Sequence, residues 1–146
     1  MKRAAVVTRA IDPTAIVAEV QTAGIGAISL FLGTVRDVND GRPVSGIDYS
    51  AYVSMAEEEM QQILAEAEER YGVKAIAVEH RIGPLTLGDV SIAIAAAHPH
   101  RAPALDATRF VIDEIKKRVP IWKLEHYTDG AREWVDPTRS SSEAKA

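Results

Sequence analysis

Apolar residues recur with the period of an α-helix in three segments of the chain. The first follows Asp12-Pro13, where a capping side chain precedes a proline at the first helical position, and Gly24 is predicted to end the helix. The second opens at Ser54-Met-Ala-Glu57, a capping-box pattern, and the third begins at Pro103 and stops at Pro120. The predicted helices span about 13–24, 54–70 and 103–119.

The apolar stripes of these helices indicate which faces are buried. The second helix has a glutamate-rich opposite face, which we interpret as a solvated surface. The core-facing residues are predicted to be Met60, Ile63, Leu64 and Ala67 on the second helix, and Leu105, Val111, Ile112, Ile115 and Val119 on the third.

Between the helices, alternating or continuous apolar runs predict strands. The predicted strands are 26–32, 47–51, 74–82, 89–97, 121–127 and 133–135. Asp40-Gly41 is a turn signal in the 36–43 loop, and Gly83-Pro84 separates two runs that are predicted to form a hairpin. Strands and helices do not alternate strictly, so the pattern predicts an α+β fold with a largely antiparallel sheet. We expect a single domain over 1–139, followed by a frayed tail over 140–146.

Composition narrows the functional classes. The chain has 146 residues, a formal net charge of -4 and no cysteine. A disulfide, a thiolate metal site and a cysteine nucleophile are therefore excluded. The apolar segment Ala4–Val7 is too short for a signal sequence, and no apolar run is long enough to cross a membrane, so we expect a cytoplasmic protein. Net acidity also argues against general nucleic-acid binding.

Against this acidic background, basic residues gather near the C-terminal half. His98-Pro-His-Arg101 lies between a predicted strand and the third helix, where His100 and Arg101 join unpaired N–H groups in a candidate phosphate or carboxylate site. A polar loop without a ligand is an equal alternative. The His-x-His spacing also suggests a metal, but the absence of cysteine and of an obvious third ligand leads us to predict none.

Further cations flank the predicted end of the third helix. Lys116, Lys117 and Arg118 fill its last turn, where interaction with the helix dipole accounts for at least two of them. Lys123 follows a proline break in a half-buried strand and is a candidate acid, base or nucleophile, although the spacing alone favours a snorkelling surface lysine. Arg36 follows a strand in a glycine-bearing loop and could bind an anion with two N–H groups.

These features occur together in one collinear order. The segments are Phe31-Leu-Gly-Thr-Val-Arg36, Tyr49-Ser-Ala-Tyr52, His80-Arg-Ile-Gly83, Pro99-His-Arg101, Val119-Pro-Ile-Trp-Lys123 and Trp134-Val135. Together they resemble the large, catalytic subunit of molybdopterin synthase, from about Val6 to Asp136.

The resemblance implies a fold, a reaction and partners. The implied fold is an α/β hammerhead-like core with a small added β subdomain. The implied reaction moves sulfur from the C-terminal Gly-Gly thiocarboxylate of a small ubiquitin-like carrier subunit to cyclic pyranopterin monophosphate, which gives the dithiolene of molybdopterin. No cofactor or metal is implied, and sulfur carried by a partner agrees with a chain that has no cysteine. A homodimer with a small subunit at each end would form a heterotetramer.

The resemblance also assigns roles to individual residues. Lys123 matches the main acid/base lysine, and Lys116 matches a lysine that orients or polarises the substrate. Arg36, His100 and Arg101 match residues that bind the pterin and its phosphate. Two further positions match less well: Arg139 is offset from an arginine that reaches a neighbouring subunit's site, and His98 has no assigned role. The alternative function is a non-catalytic module that binds a phosphorylated small molecule or a partner's C-terminal tail with the same cations.

Overall fold

A computed structural model describes residues 1–135 of the chain. Over these residues the chain forms three helices and nine strands. In chain order they are β1 (Lys2–Val7), α1 (Pro13–Val20), β2 (Ala27–Thr34), β3 (Val38–Asn39), β4 (Arg42–Ala51), α2 (Val53–Tyr71), β5 (Ala75–Arg81), β6 (Gly83–Thr86), β7 (Val90–His98), α3 (Arg101–Arg118), β8 (Ile121–Tyr127) and β9 (Arg132–Val135).

The strands form two sheets. The first has the order β1-β5-β7-β2, and the second has the order β3-β4-β8-β9 with β6 also paired to β4. Within the described residues, β1 and β5 run parallel and the remaining pairs run antiparallel. The prediction of an α+β fold with a largely antiparallel sheet is confirmed, and the second sheet is the added β subdomain.

Two apolar cores cover the two faces of the first sheet. On one face, α2 and α3 pack with alternate residues of β5 and β7 around Met60, Leu64 and Val111. On the other face, Ile16 and Val20 of α1 pack on the intervening residues of the same strands. Alternation of side chains along a strand explains why β5 and β7 are apolar almost throughout, since both of their faces are covered.

Several element boundaries differ from the predictions. The prediction of a capping box at Ser54 is wrong. Helix α2 begins at Val53, and the residue at its capping position is Tyr52, whose side chain makes no cap hydrogen bond. Gly24 does not cap α1, which ends at Val20. The third helix begins at Arg101 instead of Pro103. Asp12 caps α1 as predicted, and its carboxylate accepts from two backbone N–H groups.

Three further features differ from the sequence interpretation. Strand β1 was not predicted, and Gly83–Thr86 is a short strand as well as a turn. β2 lies at the edge of its sheet with Leu30, Phe31 and Leu32 exposed, so it is not the buried strand that its apolar run indicates. Leu105 is 57% exposed, while Ala104, Ala107 and Thr108 face the core in its place.

The predicted turn at Asp40-Gly41 is confirmed. Asp40 has a φ of 50° and Gly41 a φ of 76°, as a tight hairpin between β3 and β4 requires. Among residues 1–135, no helix is both long enough and apolar enough to cross a membrane.

Candidate active site

A cavity of about 810 Å³ lies between the second sheet, the C-terminal end of α3 and the loop after β2. Arg36, Lys116 and Lys123 all line it. The structure therefore brings together three of the six residues that the sequence predicted for the site. Phe31, Ile92, Ile112 and Ile115 also line the cavity, so the cations stand beside apolar surface.

The break at Pro120 explains how the two lysines meet. Lys116 lies in the last turn of α3, which ends at Arg118, and β8 starts at Ile121 because proline cannot continue the helix. On β8, alternate side chains share one face, so Lys123, Glu125 and Tyr127 all turn towards the cavity.

Glu125 is a residue of the site that the sequence analysis missed. It is 1% exposed, its two carboxylate oxygens each accept from Asn39 Nδ2 at 2.9 Å, and Oε2 accepts from the Tyr127 hydroxyl at 3.1 Å. Lys123 Nζ lies 3.5 Å from Glu125 Oε1. A carboxylate this deeply buried requires such partners, and in return it fixes the side chains that surround it. Its position in the sequence could have revealed it, because Glu125 lies two residues after Lys123 on a predicted strand and alternate residues of a strand share one face.

The loop that carries Arg36 is tied to the same carboxylate. Arg36 Nη2 donates to Asn39 Oδ1 at 3.3 Å, while Asn39 Nδ2 donates to Glu125. Arg36 is exposed and lines the cavity, where an anion can reach it. Arg36 and Lys123 are therefore joined through Asn39 and Glu125, although they come from distant parts of the chain.

Tyr49 and His80 form another wall of the cavity. Their rings meet edge to face, with centroids 5.1 Å apart. Burial lowers the pKa of His80 to about 4, and the positive charge of Lys116 contributes in the same direction. Burial also raises the pKa of Tyr49, so both side chains are uncharged near neutral pH.

His100 and Arg101 do not line this cavity. They border a separate depression of about 370 Å³ with Gly26 and Pro99. Gly26 is required there because a Cβ on it would lie 2.4 Å from the Pro99 carbonyl oxygen. Within one chain, His100 and Arg101 therefore border a different depression from the cavity that Lys116 and Lys123 line.

The structure accounts for His98. Its Nδ1 accepts a hydrogen bond of 2.8 Å from the backbone N–H of His100, at the residue that precedes α3. His98 therefore shapes the loop before the helix. Within residues 1–135, no group of three or more His, Asp or Glu side chains is arranged to hold a metal ion. Arg139 lies outside the described residues, so its predicted role stays a prediction.

The cavity combines two chemical capacities. Arg36, Lys116 and Lys123 can neutralise a phosphate or carboxylate and stabilise negative charge that develops during a reaction. The two lysines can also hold or release a proton beside apolar surface, which a pair of arginines cannot do.

Comparison with known proteins assigns the chain to a family. Residues 6–118 match the family model described as MoaE protein. The chain belongs to the MoaE family. It is 42% identical over 134 residues to the molybdopterin synthase catalytic subunit of Halalkalibacterium halodurans, a match that covers 92% of this chain and 85% of the relative.

Solved structures agree with this family. Molybdopterin synthase from Staphylococcus aureus superposes with a TM-score of 0.87 at 34% identity, covering 92% of this chain and 98% of that chain. A complex of subunits 1 and 2 of molybdopterin-converting factor from Helicobacter pylori has the same fold, with a TM-score of 0.75, 21% identity and coverage of 90% and 89%. The resemblance drawn from the sequence is confirmed.

Proposed function

We propose that this chain is the catalytic subunit of a molybdopterin synthase. In this reaction, sulfur passes from the C-terminal thiocarboxylate of a small carrier subunit to cyclic pyranopterin monophosphate and forms the dithiolene of molybdopterin. Membership of the MoaE family and similarity to curated catalytic subunits support the enzyme class. The observation that carries the chemistry is the meeting of Arg36, Lys116 and Lys123 in one cavity.

The reaction makes three demands on the protein. The thiocarboxylate must be placed with its negative charge tolerated, the oxygen that leaves the pterin side chain must receive a proton, and the phosphate must be held. Lys123 is the proposed main acid/base group, Lys116 orients or polarises the substrate, and Arg36 binds phosphate. The described cavity offers a cation for each of these tasks.

The partner is a small ubiquitin-like subunit that carries the sulfur. The H. pylori complex contains two subunits of molybdopterin-converting factor, and one of its chains has the fold of this chain. We propose the same kind of association here, within a heterotetramer built on a homodimer of this chain. His100 and Arg101 then serve a site to which the neighbouring copy also contributes, because they do not reach Lys123 of their own chain.

The test is direct reconstitution. The purified chain is incubated with thiocarboxylated small subunit and cyclic pyranopterin monophosphate, and the dithiolene product is measured. Product that depends on both additions supports the proposal. Tight binding of the pterin or of the small subunit without any product would instead favour the non-catalytic binding module.

A further inference from the structure

His80 is a buried polar group of the cavity for which the proposed reaction has no role. It is the penultimate residue of β5, is 7% exposed, and lines the cavity beside Tyr49. Lys116 lies close enough for its charge to act on the ring. A buried histidine on the wall of a site needs a reason, because an aliphatic side chain would fill the same space at a lower desolvation cost.

The hydrogen bond of the ring fixes its tautomer. Nδ1 lies 3.0 Å from the backbone carbonyl oxygen of Arg81. A carbonyl oxygen accepts only, so Nδ1 carries the hydrogen and donates it. The neutral imidazole has one N–H, and Nε2 therefore holds a lone pair. With Nδ1 bound to the main chain, Nε2 is the polar atom that His80 can offer to the cavity.

The surroundings show what this lone pair is suited to accept. The cations of the cavity are donors. Two of its other acceptors are already bound: Glu125 by Asn39 and Tyr127, and Glu133 by Arg42 at 3.0 Å. A phosphorylated pterin carries acceptors on its phosphate but N–H donors on its pyrimidine ring. The cationic side chains suit the phosphate, and a neutral acceptor suits the N–H donors of the pyrimidine ring.

We propose that His80 is a specificity-determining residue, whose Nε2 accepts a hydrogen bond from a ring N–H or amino group of the pterin. This inference rests on the proposed function and deepens it by dividing the cavity. The phosphate is held by Arg36 on the exposed side, and the pterin ring is recognised by the wall of Tyr49 and His80. A charged side chain at position 80 would leave the pterin N–H groups facing another donor or a desolvated charge.

Two substitutions separate the two ring nitrogens. His80→Asn keeps an amide N–H near the position of Nδ1 and removes the acceptor at Nε2, whereas His80→Gln places an amide group at the position of Nε2 and removes the donor at Nδ1. Affinity for cyclic pyranopterin monophosphate is measured with the complete complex, whose small subunit ends in an ordinary carboxylate so that no turnover occurs. We expect His80→Asn to weaken binding about tenfold and His80→Gln to stay within about threefold of wild type.

Inorganic phosphate is the matched control ligand. Its dissociation constant, measured by competition with the pterin in the same complex, should be unchanged in both variants and should rise in Arg36→Ala. Wild-type affinity in His80→Asn would overturn the proposal. So would a fall in kcat with unchanged pterin affinity, because Nε2 would then act on Lys116 and not on the substrate. Wild-type protein that neither binds nor converts the pterin would refute the proposed function instead.

A measurement on the wild-type chain covers the case in which the variants do not fold. In the ¹⁵N NMR spectrum of labelled imidazole, an unprotonated Nε2 that accepts a hydrogen bond moves upfield. Saturation with cyclic pyranopterin monophosphate should move the Nε2 resonance of His80 in this way, and inorganic phosphate should not. An unchanged resonance at saturation would overturn the inference.

Discussion

At the scale of residues, the two lysines of the cavity have different neighbours. Lys123 faces the carboxylate of Glu125, which is 1% exposed, whereas Lys116 acts on the neutral ring of His80. An ion pair with a buried carboxylate restricts where an ammonium group can move. The pair with Glu125 therefore holds Lys123 in the cavity, which agrees with its proposed role as the main acid/base group.

Lys123→Arg should abolish most turnover while the small subunit still binds. Arginine keeps the charge but does not release a proton near neutral pH, and general acid–base catalysis contributes about 10²–10⁴-fold. Single-turnover sulfur transfer, with a parallel titration of the small subunit, measures both effects. Near-normal transfer would show that position 123 supplies charge alone.

Glu125→Gln should lower the free energy of unfolding by about 1–3 kcal/mol. Both carboxylate oxygens of Glu125 accept hydrogen bonds from Asn39 or Tyr127, whereas a glutamine amide has one oxygen and its NH₂ group cannot accept. It should also weaken phosphate binding through Arg36, whose loop Asn39 holds. Urea denaturation and a pterin binding assay measure the two effects. Glu68→Gln is the control, since Glu68 pairs with Lys2 and does not line the cavity. Equal effects of the two changes would contradict the importance of burial.

At the scale of elements, the end of α3 is fixed from two sides. Arg118 donates to Glu59 and Glu66 of α2 at 2.8 Å each, so the acidic face that we interpreted as solvated also holds the two helices together. These bonds raise the pKa of Arg118 further above its usual range and lower that of Glu66. Arg118 thus has a structural role beyond the helix dipole, and the turn that carries Lys116 has a defined position.

His80, near the end of β5, should make the free energy of unfolding depend on pH. His80 has a pKa of about 4 in the folded chain against 6.5 when unfolded, so the unfolded state binds the proton first. The stabilisation from neutral His80 is complete above the unfolded pKa and is lost as pH falls towards the folded one. Between about pH 7.5 and about pH 4.5, wild type should lose about 2–3 kcal/mol more than His80→Gln.

Urea denaturation of both proteins at the two pH values measures this difference. Other carboxylates also titrate in this range, but they are common to both chains, so subtraction isolates His80. Identical pH dependence of wild type and variant would contradict a lowered pKa of His80 in the folded chain.

At the scale of the whole molecule, the cations of one chain lie in two places. His100 and Arg101 border a depression separate from the cavity of Arg36, Lys116 and Lys123. A twofold dimer could bring the depression of one copy to the cavity of the other, since both partners present the same surfaces. The exposed edge strand β2, with Leu30, Phe31 and Leu32, is a surface that such an assembly would cover.

Mixed dimers test whether the site is shared between copies. When Lys123→Arg and Arg101→Ala chains are mixed and allowed to exchange, we expect about a quarter of wild-type activity to return, because half of the dimers are mixed and each contains one intact site. Lys123→Arg mixed with Arg36→Ala should recover nothing, since both residues line the same cavity.

Sedimentation of the wild-type chain alone should show a dimer at micromolar concentration. Recovery in both mixtures, or in neither, would contradict the assignment of Arg101 to a neighbouring site. So would a fully active monomer.

The sequence by itself determined the elements whose causes are local. Asp12 and Pro13 start α1, Pro120 ends α3, and Asp40-Gly41 turns the chain, because capping, a missing N–H and a positive φ act over a few residues. The two lysines that the family motifs singled out line one cavity, and their roles stay predictions. Where local signals compete, as at Ser54 and Gly24, tertiary packing moved the helix ends away from the predicted positions.

Only the tertiary structure decided what surrounds those lysines. Asn39 and Glu125 are 86 residues apart in sequence, and no spacing rule joins them. Strand β1 exists because β5 pairs with it along its length, and Leu105 is exposed because the core takes smaller residues of α3. Burial, pairing across sheets and the position of a buried charge depend on contacts between distant segments. For the same reason, the chemical surroundings of each lysine followed from the fold and not from the motif.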